Sequence, residues 1–162
     1  MLKKIKTKKP AARGGHFAIV ASRYNAKYVD AMLRAARAEL EHAGADQIDV
    51  VRVPGAYEIP VVVAKLARRS TPPLSAIICL GVILRGATTH AQQIGEAVSH
   101  ALAQIQIQHE VPVIHEVLLL ENQEQARQRS LSRDHNRGRD AAQTALEMAR
   151  VMEGLEPRVN AV

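Results

Sequence analysis

The sequence predicts an α/β protein: a three-layer α/β/α sandwich built on a four-stranded parallel sheet. Two observations carry this expectation. Segments rich in Val, Ile and Leu alternate four times with segments whose apolar residues recur at helical spacing. The strand-like segments are also apolar throughout rather than at every second residue, the pattern of strands covered on both faces. Parallel strands need crossover connections, which run right-handed.

The elements follow in chain order. His16-Phe17-Ala18-Ile19-Val20-Ala21 is a short apolar run and reads as a buried strand. Residues 27–43 place Val29, Leu33, Ala36 and Leu40 on one helical face, and Gly44 can cap the end. Gln47 to Val53 reads as a second strand, stopped by Pro54-Gly55. Residues 57–69 read as a helix with Pro60 in its first turn, where a missing N–H costs nothing. Ser75 to Leu80 reads as a third strand closed by Gly81. Residues 88–108 are a helix with Ile94, Val98, Leu102 and Ile105 on one face. Val111 to Leu119 is a fourth strand with Pro112 at its start, and residues 122–129 and 137–152 are two closing helices. Ala141, Ala145, Met148 and Met152 line one face of the last.

At 162 residues the chain suits one domain, with 47% hydrophobic and 23% charged residues. Such values exclude collagen, coiled coil and wholesale disorder. A single cysteine excludes a disulfide framework and a Cys-based zinc site, and Cys79 inside Ala-Ile-Ile-Cys-Leu reads as a buried, inert thiol. The seven histidines form no His-x-x-x-His pair on a helix, so no metal is expected. No apolar run reaches the length of a membrane span, and no apolar core follows the basic start, so the cytoplasm is the expected location.

The net charge of +6 belongs to residues 1–13 alone, which carry Lys3, Lys4, Lys6, Lys8, Lys9 and Arg13 and no acid. This stretch reads as a solvated basic tail ahead of one domain spanning 14–162. With aromatics at 2% and no Trp, stacking on single-stranded nucleic acid is not expected.

In parallel α/β folds, ligands sit beyond the carboxyl ends of the strands. The polar and glycine-rich residues gather at those ends. Arg85-Gly86-Ala87-Thr88-Thr89-His90 leads from a strand into the longest helix. Its first-turn N–H groups suit a phosphate, and Thr88 or Thr89 equally suits plain capping. His90 falls in that first turn, where the helix dipole keeps an imidazole neutral and able to take a proton. An idle surface histidine is the alternative. Glu58 is placed either to accept bonds from sugar-like hydroxyls or to favour a helix N-terminus. Tyr24 offers a flat ring, for a ligand or for the core. Arg127, Arg129, Arg133, Arg137 and Arg139 form either a solvated face or, in part, a phosphate clamp.

These pieces together resemble the 6,7-dimethyl-8-ribityllumazine synthase family of riboflavin biosynthesis. The resemblance covers about residues 17–152 and rests on segments met in order: Ala21-Ser22-Arg23-Tyr24-Asn25, Val53-Pro54-Gly55-Ala56-Tyr57-Glu58-Ile59-Pro60, Leu80 to His90, Val111-Pro112-Val113-Ile114, Glu124-Gln125-Ala126, Asn136-Arg137-Gly138 and Ala145 to Ala149. The expected fold is then flavodoxin-like. The resemblance implies condensation of 5-amino-6-(D-ribitylamino)uracil with 3,4-dihydroxy-2-butanone 4-phosphate, with release of inorganic phosphate and water and no cofactor. A relative that only binds a lumazine or flavin is the alternative.

The resemblance also implies roles. His90 matches the acid–base histidine and Tyr24 the aromatic that stacks on the pyrimidine. Ala56, Tyr57 and Glu58 match the ribityl-binding segment, and Val82, Ile83 and Leu84 the backbone lining the ring pocket. Ala87, Thr88 and Arg129 match the phosphate site, and Arg137 stands where the family often has lysine. The implied assembly is a homo-oligomer of pentamers with sites between subunits; the family includes pentamers, decamers and sixty-subunit shells. Three places depart from the family pattern. Ala91-Gln92-Gln93-Ile94 replaces an aromatic–acid–aromatic stretch. His115 stands where an aromatic from the neighbouring subunit often closes the ring pocket. Ser130 to His135 replaces a glycine-rich turn.

Overall fold

A computed structural model describes residues 14–156; the basic stretch 1–13 and residues 157–162 lie outside the described residues. Four strands form one sheet: β1 (His16–Ser22), β2 (Gln47–Val53), β3 (Ala76–Leu84) and β4 (Val113–Leu120). All pair in parallel, in the spatial order β2-β1-β3-β4. The helices are α1 (Ala26–His42), α2 (Ile59–Ala67), α3 (His90–His109), α4 (Gln123–Ser130) and α5 (Arg137–Leu155). This is the expected three-layer sandwich, with the flavodoxin-like strand order.

The two-residue period of a strand divides the core in two. Phe17, Ile19 and Ala21 of β1 face Met32, Ala36 and Leu40 of α1 and Ala142, Ala145 and Leu146 of α5. Ala18 and Val20 point the other way, toward Ile59 and Val63 of α2 and Val98 and Leu102 of α3. All seven residues of β1 are buried. The chain leaves β1 in one direction under α1, then returns in the opposite direction over α2 and α3. Reversing both direction and face keeps one crossover hand throughout. Cys79 lies fully buried on the α2/α3 side, where desolvation pushes its thiol well above the ordinary range.

The sequence reading needs several corrections. β3 does not end at Gly81. It continues through Val82 and Ile83 to Leu84, paired with β4 residue by residue. Gly81 serves packing: a methyl group at this position would stand 3.1 Å from the Val117 side chain, a tight contact that Val117 would have to relieve by moving a few tenths of an ångström. The segment 57–69 is a 3₁₀ turn (Ala56–Glu58) followed by α2, and Pro60 sits in the first turn of α2 as expected. β4 begins at Val113; Pro112 precedes it, and its carbonyl accepts from the Ile77 N–H at 2.8 Å. β2 is an edge strand and only its last residue is buried, so the sheet is not covered evenly. The deep face of α5 is Ala141, Ala142, Ala145, Leu146 and Ala149, with Met148 half-buried against it.

The ends of the elements have local causes. Gly44 (φ +80°) closes α1: its N–H donates to Glu41 and that of Ala45 to Leu40, a left-handed cap satisfying the last carbonyls. Asn136 caps α5, accepting from Gly138 N–H at 2.9 Å while its amide donates to the Ser130 carbonyl. That single side chain closes the loop standing where a glycine-rich turn was expected. At the amino end of the sheet, Asp49 accepts from Arg69 at 2.7 Å and lies 2.9 Å from His16, and these bonds hold its carboxyl down at about 2.

Gly138 sets how closely α5 approaches α1. A Cβ there would land on the Met32 carbonyl oxygen, a rigid backbone atom. Gly138→Ala should therefore lower stability by about 3 kcal/mol, at the upper end of overpacking costs. Gly154→Ala, with nothing within 4 Å of the new methyl, is the control. Denaturant melts of the two variants check this, and equal stability would contradict it.

Candidate active site

The strand order reverses at β1, because β2 and β3 lie on opposite sides of it. Open α/β sheets leave a crevice at such a reversal, beyond the carboxyl ends of the strands. Here that crevice is a cleft of about 920 Å³. Its walls are Tyr24 and Asn25 after β1, Gly55 to Glu58 after β2, Val82 to Leu84 ending β3, and His90, Gln93, Ile94 and Ala97 on α3.

Backbone bonds fix the rim. The N–H groups of Arg23 and Tyr24 donate to the Pro54 carbonyl at 3.2 and 3.0 Å, joining the loop after β1 to the end of β2. Arg52 reinforces the join, donating to the Ser22 carbonyl at 2.9 Å and pairing with Asp30 at 2.6 Å. Asn25 makes the link to β3: its amide donates to the Val82 carbonyl at 2.7 Å. It does so from a left-handed conformation (φ 54°), which Asn tolerates better than most residues.

The chemistry-bearing side chains stand on this frame. Tyr24 is 75% and Tyr57 63% exposed, although the protein has only four aromatic residues. Two solvated tyrosine rings on one cleft form a surface awaiting a flat or hydroxyl-rich ligand. Glu58 accepts from the Gly55 N–H through Oε2 at 2.8 Å, which locks its carboxylate and leaves Oε1 for a ligand. His90 opens α3, and its N–H lies 3.4 Å from the Thr88 hydroxyl oxygen. Ala87, Thr88 and Thr89 form an exposed turn just before it, and Thr89 occupies the cap position without a side-chain cap.

The structure does not bring every expected site residue here. His115, Arg129 and Arg137 line a second cleft of about 440 Å³ along β4, with Glu116 to Leu120. The reason is topological: β4 is the edge strand farthest from β2. The His115 ring is fully engaged. Its Nδ1 accepts from the Val117 N–H at 3.1 Å, and its Nε2 lies 2.8 Å from the Ser99 hydroxyl, which itself donates to the Gly95 carbonyl. Nε2 therefore carries the proton. Desolvation holds this imidazole below the ordinary histidine pKa, so it is neutral at pH 7. Arg137 forks onto Glu116 at 2.6 and 3.0 Å. Burial pushes the Glu116 carboxyl above the usual glutamate value, against the pull of Arg137. Among the described residues, no three His, Cys, Asp or Glu side chains cluster as a metal ion needs, and no helix is long and apolar enough to cross a membrane.

Comparison with known proteins agrees with this geometry. The family model described as 6,7-dimethyl-8-ribityllumazine synthase matches residues 14–153. The chain belongs to that family. It is 43% identical to the 6,7-dimethyl-8-ribityllumazine synthase of Desulfotalea psychrophila over 147 residues, 90% of this chain and 94% of that protein. It is 39% identical to the synthase of Clostridium kluyveri, with the same coverage. It is 40% identical to that of Xanthomonas oryzae pv. oryzae, over 89% of this chain and 92% of the relative.

Sequence reasoning quoted Asn25 without a role and passed over Glu116. For Asn25 the signal was present: an Asn directly after a strand and before a helix suits a left-handed turn. Glu116 carried only a weak signal, a carboxylate inside an apolar strand. Asn25→Ala should cost about 2 kcal/mol, from a lost hydrogen bond and a strained backbone, and Asn25→Gly about half that because glycine carries no strain there. Chemical denaturation of both variants separates the two contributions. Equal losses would show that the backbone conformation costs nothing.

Proposed function

We propose that this chain is a transferase that condenses 5-amino-6-(D-ribitylamino)uracil with 3,4-dihydroxy-2-butanone 4-phosphate to 6,7-dimethyl-8-ribityllumazine, releasing phosphate and water, in riboflavin biosynthesis. One observation carries the reading beyond family membership: four separate chain segments bring Tyr24, Ala56, Tyr57, Glu58, Val82, Ile83, Leu84 and His90 to one cleft. These are the residues that the family resemblance assigns to the pyrimidine, the ribityl chain and proton transfer.

The roles implied by the family resemblance, set on this cleft, support the following chemistry. Tyr24 stacks on the pyrimidine and the end of β3 offers backbone groups to its edge. Glu58, fixed by Gly55, takes ribityl hydroxyls. The amine of the bound pyrimidine condenses with the ketone to a Schiff base and one water. Loss of the adjacent C–H proton expels phosphate and leaves an enol that becomes a ketone. The ribitylamino nitrogen closes the ring on that ketone with loss of a second water. Holding both substrates in one orientation supplies much of the acceleration. His90 moves protons at the mouth of the cleft.

The phosphate side falls to the turn Ala87-Thr88 and to Arg129, with Arg137 beside it. Arg129 and Arg137 line the other cleft, so a complete site needs two copies of the chain, the first cleft of one facing the second of its neighbour. A closed ring satisfies this for every copy, and the pentamer is the unit we assign. His115 then closes the ring pocket from the neighbouring subunit.

The decisive assay mixes the purified chain with both substrates and follows lumazine absorbance against the spontaneous rate; no excess would sink the reading. His90→Ala should slow turnover about 10- to 1000-fold without abolishing it, because proximity survives the loss of a general acid–base group. Unchanged turnover at saturating substrate would remove His90 from the mechanism. Arg129→Ala should weaken inorganic phosphate and the phosphate-bearing substrate about 10- to 150-fold, the worth of a charge-assisted bond, and spare the pyrimidine. Titration calorimetry with each ligand reads this, and equal losses for both would make Arg129 a structural residue.

A further inference from the structure

The second cleft contains a group that none of the roles above employs. Glu116 lies on β4 opposite Leu80, is only 6% exposed, and yet carries a carboxylate. Arg137 meets it in a two-bond fork, Nη2 to Oε1 at 2.6 Å and Nε to Oε2 at 3.0 Å. The remaining arm of the guanidinium, Nη1, faces Asp140 at 3.5 Å. Arg129, on the same cleft, makes no fork with Glu116, although its charge also favours the Glu116 carboxylate from a distance.

The two arginines are therefore not equivalent. A phosphate that engaged Arg137 through its fork would have to displace Glu116, leaving a buried carboxylate without a counter-charge. Breaking a buried pair on one side is costly. Arg129 feels the same carboxylate only as the weakest of the charges acting on it, so an anion at Arg129 breaks no fork.

We propose that Glu116 is a positioning residue that sets how tightly this cleft holds phosphate: it clamps Arg137, cancels its charge, and leaves Arg129 to take the anion. The inference rests on the proposed reading of the cleft as the phosphate side of a lumazine synthase site. Its kinetic meaning is weaker retention of both the phosphate-bearing substrate and the phosphate product than two free guanidinium groups would give. The raised Glu116 carboxyl is consistent with the clamp, since burial favours its neutral form and Arg137 is what opposes it.

The test titrates inorganic phosphate into full-length wild type, Glu116→Gln, Glu116→Ala and Glu116→Ala/Arg137→Ala, with folding checked by circular dichroism. Releasing one positive charge beside the anion at a partly exposed site should tighten phosphate about tenfold in either single variant. The double variant should return to within about twofold of wild type. In turnover, KM for the phosphate-bearing substrate should fall in the single variants while KM for the pyrimidine stays put, a split that a purely structural role would not produce. Unchanged or weaker phosphate affinity in a folded single variant overturns the clamp. So does a double variant as tight as the single, which would place the effect elsewhere than Arg137. If neither single variant folds, Glu116 is a stability residue and the proposal falls. Lumazine formation by wild type reads the underlying function separately: an active enzyme whose phosphate affinity ignores Glu116 loses the clamp alone, whereas a chain that neither turns over nor binds phosphate loses both.

Discussion

The complete burial of β1 governs the rest of the molecule. A strand with helices on both faces and partners on both edges can satisfy its backbone only in register with β2 and β3. That requirement fixes where the ends of β1, β2 and β3 emerge. The loops that follow them are then tied to one another by Tyr24 to Pro54 and Asn25 to Val82. The cleft is thus a by-product of strand pairing, and its exposed tyrosines stand on turns that directly follow the paired strands.

The second cleft is governed by electrostatics rather than topology. Burial raises the Glu116 carboxyl and Arg137 opposes that rise, and Arg137 opens α5 just where Asn136 caps it. Helix capping, loop closure and charge pairing therefore converge within two residues. His115 is a quieter case. Its hydrogen bonds to Val117 and Ser99 fix both ring nitrogens, so the ring presents a flat, neutral edge.

Much of the fold was legible because apolar runs and helical stripes report burial directly, and every predicted strand and helix exists. The misreadings share a cause. Gly81 was taken as a terminator because glycine usually punctuates strands, but here it relieves a close approach that only the neighbouring Val117 makes visible. Met148 and Met152 were placed on the deep face of α5, yet Ala142, Leu146 and Ala149 lie there with Ala141 and Ala145, and at Gly138 the approach of α1 leaves no room for a side chain. The candidate site was legible through motifs at strand ends. Its division into two clefts was legible only through the resemblance, which implies sites between subunits, because sequence order alone says nothing about which edge of the sheet a strand occupies. The Glu116–Arg137 pair, 21 residues apart in the chain, was invisible for the same reason.

The two clefts share no lining residue. Within one chain, the effects on folding stability of substitutions in one are therefore expected to add to those of substitutions in the other, as sites without common partners do. For a lineage this amounts to two separate dials. Affinity for the anionic fragment can drift through Glu116, Arg129 and Arg137 while the surface that grips the ring and its sugar-like chain stays as it is. Departures on either side, such as Gln93 on α3 or His115 on β4, then need no matching change within the same chain for it to fold.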